Sequence, residues 1–304
     1  YQIKDMVTTK LPPLNVRQGD HVSFENGDLS LENGRWLLRP MKREDYRILR
    51  LPFHYNPNAT CPRFEQFIKE VFRDDPDIAE KSKLIFELFG YSFQSHTRHE
   101  FFPILVGNGA NGKSVLLYTL AHCVGDQNVA AIQPYSFNNS FQLASLQNKL
   151  INVITESEQG GKLPTAKVKA LVSGEAMTVE HKHKAPFNMR PFATLWWGTN
   201  HLPNANDYTP ALNSRARVIE FNRFFTVNER DELLKEKLKL EAPGIIRLAL
   251  EHYAAAVENG FTLPESVKAS NKRWKTESDN VALFAEEMLR PASNHDIKTS
   301  ELYS

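Results

Sequence analysis

The octapeptide "GNGANGKS", residues 107–114, constrains this chain more than any other stretch. It separates the apolar run "FFPILV" from the leucine-rich run "SVLLYTLAHCV". Glycine and asparagine at this density oppose both helix and strand, so two core-forming segments tolerate them between each other where the backbone bends tightly. The pattern G-x-x-x-x-G-K-[ST] gives that bend a chemistry. Consecutive backbone N–H groups turn inward as an anion-binding nest, and a helix N-terminus closes it. Lys113 is then placed to reach the β- and γ-phosphates of a nucleoside triphosphate, with the Ser114 hydroxyl on Mg²⁺. The expected nucleotide-binding stretch is Gly107, Asn108, Gly109, Ala110, Asn111, Gly112, Lys113, Ser114 and Val115, and the expected ligands are ATP and Mg²⁺. An ordinary strand–turn–helix corner has no need of Lys-Ser after its last glycine.

A triphosphate site needs a second strand that delivers acid to the metal and water. In "KLINVITESEQGG", residues 149–161, an apolar strand over 150–154 runs into Thr155, Glu156 and Glu158. Glu156 is expected to orient the attacking water or to hold Mg²⁺ through water, with Glu158 in support. A third strand, "FATLWWGTN" (192–200), ends on Asn200, whose amide can sense the γ-phosphate if that strand lies beside the loop.

The surroundings fix the class. Short apolar runs at 101–106, 150–154, 192–198 and 218–221 alternate with helical or loop segments, as in a buried parallel sheet within an α/β layer fold. Residues 22–38 alternate polar and apolar around Asn26-Gly27 and Asn33-Gly34, predicting a small β-meander. A helical stripe follows Pro62 (Phe64, Phe67, Ile68, Val71, Phe72), and a second helix over 77–90 is expected to stop at Gly90. Residues 229–258 read as helical, Gly260 and Pro264 as a linker, and 279–289 as one more helix. The expected organisation is an accessory or oligomerisation domain of mixed α+β type (1–98), a phosphate-loop ATPase core (99–226), and a helical lid and linker (227–304). Two cysteines, Cys61 and Cys123, make neither a disulfide framework nor a zinc site and suit a reducing compartment. No run approaches the roughly 18 apolar residues of a membrane span. A start at Tyr1 and an end on "IKTSELYS" read as a piece excised from a larger protein.

The net charge of +1 steers nothing globally, so nucleic-acid binding has to come from a local patch. Residues 162–190 supply one, with six basic against two acidic residues. Within it, "MTVEHKHKAPFNMRPF" reads as a strand at 177–180, a polar turn and a returning strand. The turn presents His181, Lys182, His183 and Lys184.

In order, these pieces resemble the superfamily 3 helicases, most closely the phage and plasmid primase-helicases with their poxvirus-type relatives. "FFPILVGNGANGKS" is similar to their phosphate loop, "LINVITESEQG" to their acidic motif and "LVSGEAMTVEHKHKAPF" to their DNA-contacting hairpin. "WWGTNHLP" resembles their sensor and "NSRARVIEF" their arginine-bearing segment. "LPFHYNPNATCPRFEQFIKEVF" is similar to their N-terminal lead-in, and "LPESVKASNKRWKTESDNVALF" to the stretch before a C-terminal winged domain. The resemblance implies an AAA+-like core that assembles into a ring, usually a hexamer, and moves 3′→5′ on single-stranded DNA. It also implies a primase or polymerase module in the same parent chain, and a viral or plasmid replication protein acting in the host cytoplasm, with no membrane partner. By position, Lys113, Glu156 and Asn200 take catalytic roles, Ser114 and Glu156 the metal, and Arg215 the arginine finger, with Arg217 as the alternative. Two other readings share the phosphate loop: an AAA+-like ATPase that remodels or loads a protein partner, and a small-molecule kinase, for which no acceptor pocket is legible.

Overall fold

The structure is a computed structural model that describes residues 20–42, 48–155, 163–203 and 209–278. Its centre is a five-stranded, all-parallel sheet in the order β10-β4-β9-β6-β5, made of Ala216–Glu220, Phe102–Val106, Thr194–Thr199, Ile151–Ile154 and Val129–Ala130. Successive strand residues point to opposite faces, and the strands are apolar on both. Leu105, Ile151, Trp196 and Ile219 enter one core layer, while Ile104, Ile154, Trp197 and Val218 enter the other.

The first layer is covered by four helices: α1 (Pro62–Val71), α2 (Ile78–Ser92), α3 (Lys113–Val124) and α8 (Ala242–Asn259). The second is covered by the 130–146 segment, α5 (Thr165–Val172), α6 (Pro210–Arg215) and α9 (Glu265–Ser278), whose Trp274 is buried there. The meander β1 (His21–Phe24), β2 (Gly27–Glu32), β3 (Arg35–Arg39) is antiparallel and adds Val22, Phe24 and Leu29 to the first layer. Residues before and after the parallel sheet therefore share one apolar cluster with it.

Three expectations are corrected. The second helix does not stop at Gly90 but runs on to Ser92, because Gly90 faces a neighbour: a Cβ there would lie 2.3 Å from the Ala249 carbonyl oxygen on α8. The helical stretch 229–258 is broken into a short turn, α7 (Leu234–Leu240) and α8, which starts at Ala242. The break frees Glu241, whose carboxylate accepts the Arg63 and Phe64 N–H groups (3.0 and 2.8 Å) that the first turn of α1 leaves unpaired. Finally, the expected linker after Gly260 becomes α9 from Glu265 onward, while the predicted helix at 279–289 lies outside the described residues.

Candidate nucleotide and DNA site

The candidate phosphate loop, residues 107–114, runs from the end of β4 into the first turn of α3. Gly112 has φ +94, the left-handed region that favours glycine, and a Cβ there would come within 2.8 Å of the Val71 side chain on α1. Gly109, by contrast, has nothing within 4 Å of such an atom, so its glycine serves open space and not the turn. Asn111 is buried and braces the loop from within: its amide donates to the Asn108 carbonyl (2.6 Å) and the Phe221 carbonyl (3.3 Å). Lys113 is buried too. Its ammonium donates to the Gly107 carbonyl, to Asn111 Oδ1 (3.2 Å) and to Asn200 Oδ1 (3.5 Å), and burial pushes its pKa down. Among the described residues the ammonium meets neutral oxygens only, and a cation so held is poised to trade them for a phosphate.

Asn200 reaches Lys113 because β9 is the immediate neighbour of β4, with Val106 opposite Thr199 and the Gly107 N–H on the Thr199 carbonyl (3.3 Å). The acidic strand β6 lies one place further out and ends beside the exposed Thr155. Glu156 and Glu158 lie outside the described residues. Ser114 is exposed in the first turn of α3, next to Lys113, and its hydroxyl suits a Mg²⁺ that takes most of its ligands from phosphate and water. Among the described residues no group of three His, Cys, Asp or Glu could hold a metal by itself.

The two candidate arginines sit at the other end of the sheet. Ala216 pairs with Phe102 and Glu220 with Val106, so Arg215 stands at the start of β10 while the loop leaves the end of β4. Four residues of strand, roughly 13 Å, separate those ends, and Arg215 cannot reach the loop of its own chain. Its Nε donates to Glu100 Oε2 (2.6 Å), its second amino group pairs with the same oxygen, and Nη1 touches the Ala211 carbonyl (3.3 Å). Glu100 itself sits at φ +53, an uncommon conformation for a residue with a side chain. Arg217 is turned inward. It lies 3.8 Å over the Phe101 ring and donates to the Ser214 and Ala216 carbonyls (2.8 and 2.9 Å), and burial pulls its pKa down to about 10.

Comparison with known proteins agrees with this architecture. The family described as "D5 N terminal like" matches residues 1–73, and the one described as "Family of unknown function (DUF5906)" matches residues 105–215. A protein of Acanthamoeba polyphaga mimivirus that is named as a helicase is 23% identical over 286 residues, covering 85% of this chain. The chain spans only 29% of that relative's length. Two apo structures of the NrS-1 C-terminal region share the fold. One has a TM-score of 0.61 at 15% identity, over 94% of this chain and 67% of that one; the other has 0.56 at 18%, over 92% and 65%. The chain is thus similar in sequence to a helicase-named viral protein and in fold to the NrS-1 C-terminal region.

The basic turn is a true hairpin. Strands β7 (Met177–Val179) and β8 (Phe187–Met189) pair antiparallel, and all four residues from His181 to Lys184 are exposed. His183 takes φ +63 and the Lys184 N–H closes on the His181 carbonyl (3.0 Å), a tight turn, while the His181 ring stacks 5.1 Å from Phe187. From Met189 the chain needs only four residues to enter β9 and so reach Asn200. The sequence reading missed two aromatics of the 130–146 segment, Tyr135 and Phe141, which are 65% and 50% exposed. The intervening Ser140 donates to Glu180 at the foot of the turn (2.8 Å). The signal was present in "PYSFNNSF", where large rings alternate with small polar residues and make neither a helical stripe nor a strand. Among the described residues no helix is long and apolar enough to cross a membrane.

Proposed function

We propose that the chain is the ATP-driven motor portion of a viral or plasmid replication helicase, working as a ring within a parent chain that also carries a primase or polymerase module. The observation that carries the reading is the meeting of Lys113 and Asn200, which joins the phosphate loop to the tip of the strand that continues from the basic hairpin. In this reading Lys113 neutralises charge on the transferring phosphoryl group, Asn200 senses its departure and Glu156 orients the water. Ser114 would help to hold a Mg²⁺, which would supply charge neutralisation at the phosphates. Arg215, remote from its own loop, serves the loop of a neighbouring subunit, where it stabilises charge in the transition state. Rearrangement at Asn200 passes along β9 to Lys182 and Lys184, which hold phosphates without reading bases. Tyr135 and Phe141 offer faces on which bases of a single strand can stack. Movement 3′→5′ follows the resemblance.

The test is the rate of ATP hydrolysis with and without single-stranded DNA, with the oligomeric state recorded in parallel. Hydrolysis that Lys113→Ala abolishes and single-stranded DNA accelerates in an assembled form is the expected result. Hydrolysis that is indifferent to DNA but accelerated by a protein partner would replace this reading with a remodelling ATPase.

A further inference from the structure

A cavity of about 300 Å³ opens directly beside the phosphate loop. Ala110, Gly112 and Val115 form its inner wall, Phe67 on α1 its outer wall, and Phe225 and Leu234, which follow β10, its roof. Phosphate chemistry does not account for Phe67, Phe225 and Leu234. The volume lies at the low end of small-ligand sites, enough for one compact planar group and its sugar.

The walls are fixed to the loop. The Phe225 N–H donates to the Ala110 carbonyl (2.8 Å), which ties the ring's backbone to the loop itself. One face of the Phe225 ring is covered by the Arg223 guanidinium, 4.2 Å from the ring centroid, and Arg223 is anchored in turn on the Glu70 carbonyl of α1 (2.6 Å) and on Glu229 (2.8 Å). On the other side α1 touches the loop, since a Cβ on Gly112 would stand 3.2 Å from the Phe67 ring.

Of the six charged residues that also line the cavity, Arg63, Glu70, Glu229, Arg230 and Asp231 are engaged within the protein, Arg230 on the Phe225 carbonyl (3.1 Å), and Glu232 completes the lining. Arg63 donates to Glu70 (3.2 Å) and lies 3.9 Å from Asp231, Asp231 holds Lys237 (2.7 Å), and Glu229 accepts from the Thr226 N–H (2.9 Å). A triphosphate seated on the loop has to send its nucleoside out on one side, and the apolar, aromatic cavity next to Ala110 and Val115 is built to receive it.

We propose that this cavity seats the base and ribose of the nucleotide, that α1 is its outer wall, and that it holds the base by stacking and apolar contact without reading its hydrogen-bonding edge. The inference rests on the phosphate-loop reading above. It carries two consequences. A segment that the sequence places in an accessory domain becomes part of the nucleotide site. Discrimination between bases is also weak, because a site without dedicated hydrogen bonds rejects a wrong ligand far less sharply than one that has them.

Calorimetry on the full chain with Mg²⁺ and three probes (ATP, GTP and inorganic tripolyphosphate) tests it. Wild type should bind ATP and GTP within about tenfold of each other. Phe225→Ala should weaken both by about tenfold or more while tripolyphosphate binds unchanged. Phe225→Leu, which keeps apolar volume but loses the ring, should fall between, and thermal melting of the ligand-free variants checks that each is folded. ATP binding unmoved by both variants, or ATP and tripolyphosphate weakened alike, would overturn the base subsite while leaving the phosphate loop in place. A GTP affinity more than a hundredfold below that of ATP would overturn the stacking mode. Failure of wild type to bind either ATP or tripolyphosphate would remove the phosphate-loop reading, and this subsite with it.

Discussion

The two lysine sites of this chain are built in opposite ways. At the phosphate loop Lys113 is buried and surrounded by oxygens of Gly107, Asn111 and Asn200, so the loop is preformed by its own residues. At the hairpin Lys182 and Lys184 stand exposed on a turn whose shape is set by its backbone. A preformed site cannot lose a side chain without losing geometry as well as charge. A solvent-facing turn can. Substitutions at the hairpin should therefore separate DNA binding from the rest of the molecule, and substitutions around the loop should not separate so cleanly.

The largest effect is expected where the loop must borrow a residue. Arg215→Ala should lower hydrolysis by about 10³–10⁵ in an assembled ring, if the arginine completes a neighbour's site. Mixing Arg215→Ala with Lys113→Ala subunits should restore part of the activity, because each lesion spoils a different half of a composite site and some interfaces keep both halves. Absence of recovery in every mixture, with assembly verified, would assign Arg215 to its Glu100 pair alone.

Next comes the support behind the loop. Lys81 on α2 is buried, pairs with Asp75 (2.8 Å) and donates to the Glu220 carbonyl at the end of β10 (3.2 Å), one residue before the Phe221 carbonyl that braces Asn111. Lys81→Ala leaves the Asp75 carboxylate without its cation, held by the Asn222 amide (2.9 Å), and should cost about 3–5 kcal/mol in urea unfolding. Nucleotide binding should weaken with it, while the hairpin keeps its affinity for DNA. A loss below about 1 kcal/mol would show that solvent reaches Asp75.

The difference between the two sites also governs how much could be read before the structure. The loop, its strand and its helix are local: eight adjacent residues carry the backbone bends and the lysine, and the parallel sheet follows from four apolar runs. That Asn200 meets Lys113 was legible only as an expectation, because it depends on β9 lying next to β4 across 87 residues of chain. Gly90 was misread as a helix stop, since a helix end and a close helix crossing both select glycine, and only α8 tells them apart. Helix α9 carries few apolar residues, chiefly Val267 and Trp274, so periodicity is nearly silent there. The cavity beside the loop draws on α1, the loop and the residues after β10, which no single stretch of sequence brings together.

Acid should separate the two ends of the sheet. His99, next to Glu100 and so to Arg215, has its pKa pulled down to about 4 by burial and then by the charges of His96 and Arg98, with Asp20 opposing. Tyr253 completes its surroundings, 3.2 Å from the ring. A histidine depressed in the folded state binds its proton more readily when unfolded. Its contribution is therefore present above about pH 6.5 and is lost as the pH falls toward 4. His122 and His252 are depressed by burial in the same direction. Urea midpoints should fall between pH 7 and 5, and His99→Gln should flatten part of that slope. A slope left unchanged by His99→Gln would place the acid sensitivity elsewhere.

The smallest expected effect is also the cleanest. Lys182→Ala combined with Lys184→Ala removes two exposed point charges that make no contact needed for the turn, which closes through the Lys184 N–H and His181 carbonyl whatever the side chain. Each phosphate contact contributes about 0.7 to the salt slope of single-strand binding, so losing both should lower it by roughly 1.4. Between 50 and 200 mM salt that amounts to about a sevenfold smaller drop in affinity. Basal hydrolysis and the melting temperature should stay where they were, in contrast to any change at Lys113 or Lys81. His181 stacks on Phe187 and so has a structural partner, which makes His181→Ala a poorer probe than the lysine pair. Tyr135→Ala with Phe141→Ala supplies the matching control: stacking carries no charge, so affinity should fall at every salt concentration with the slope intact. An unchanged slope in the lysine double variant, with unwinding preserved, would move the DNA grip away from the hairpin.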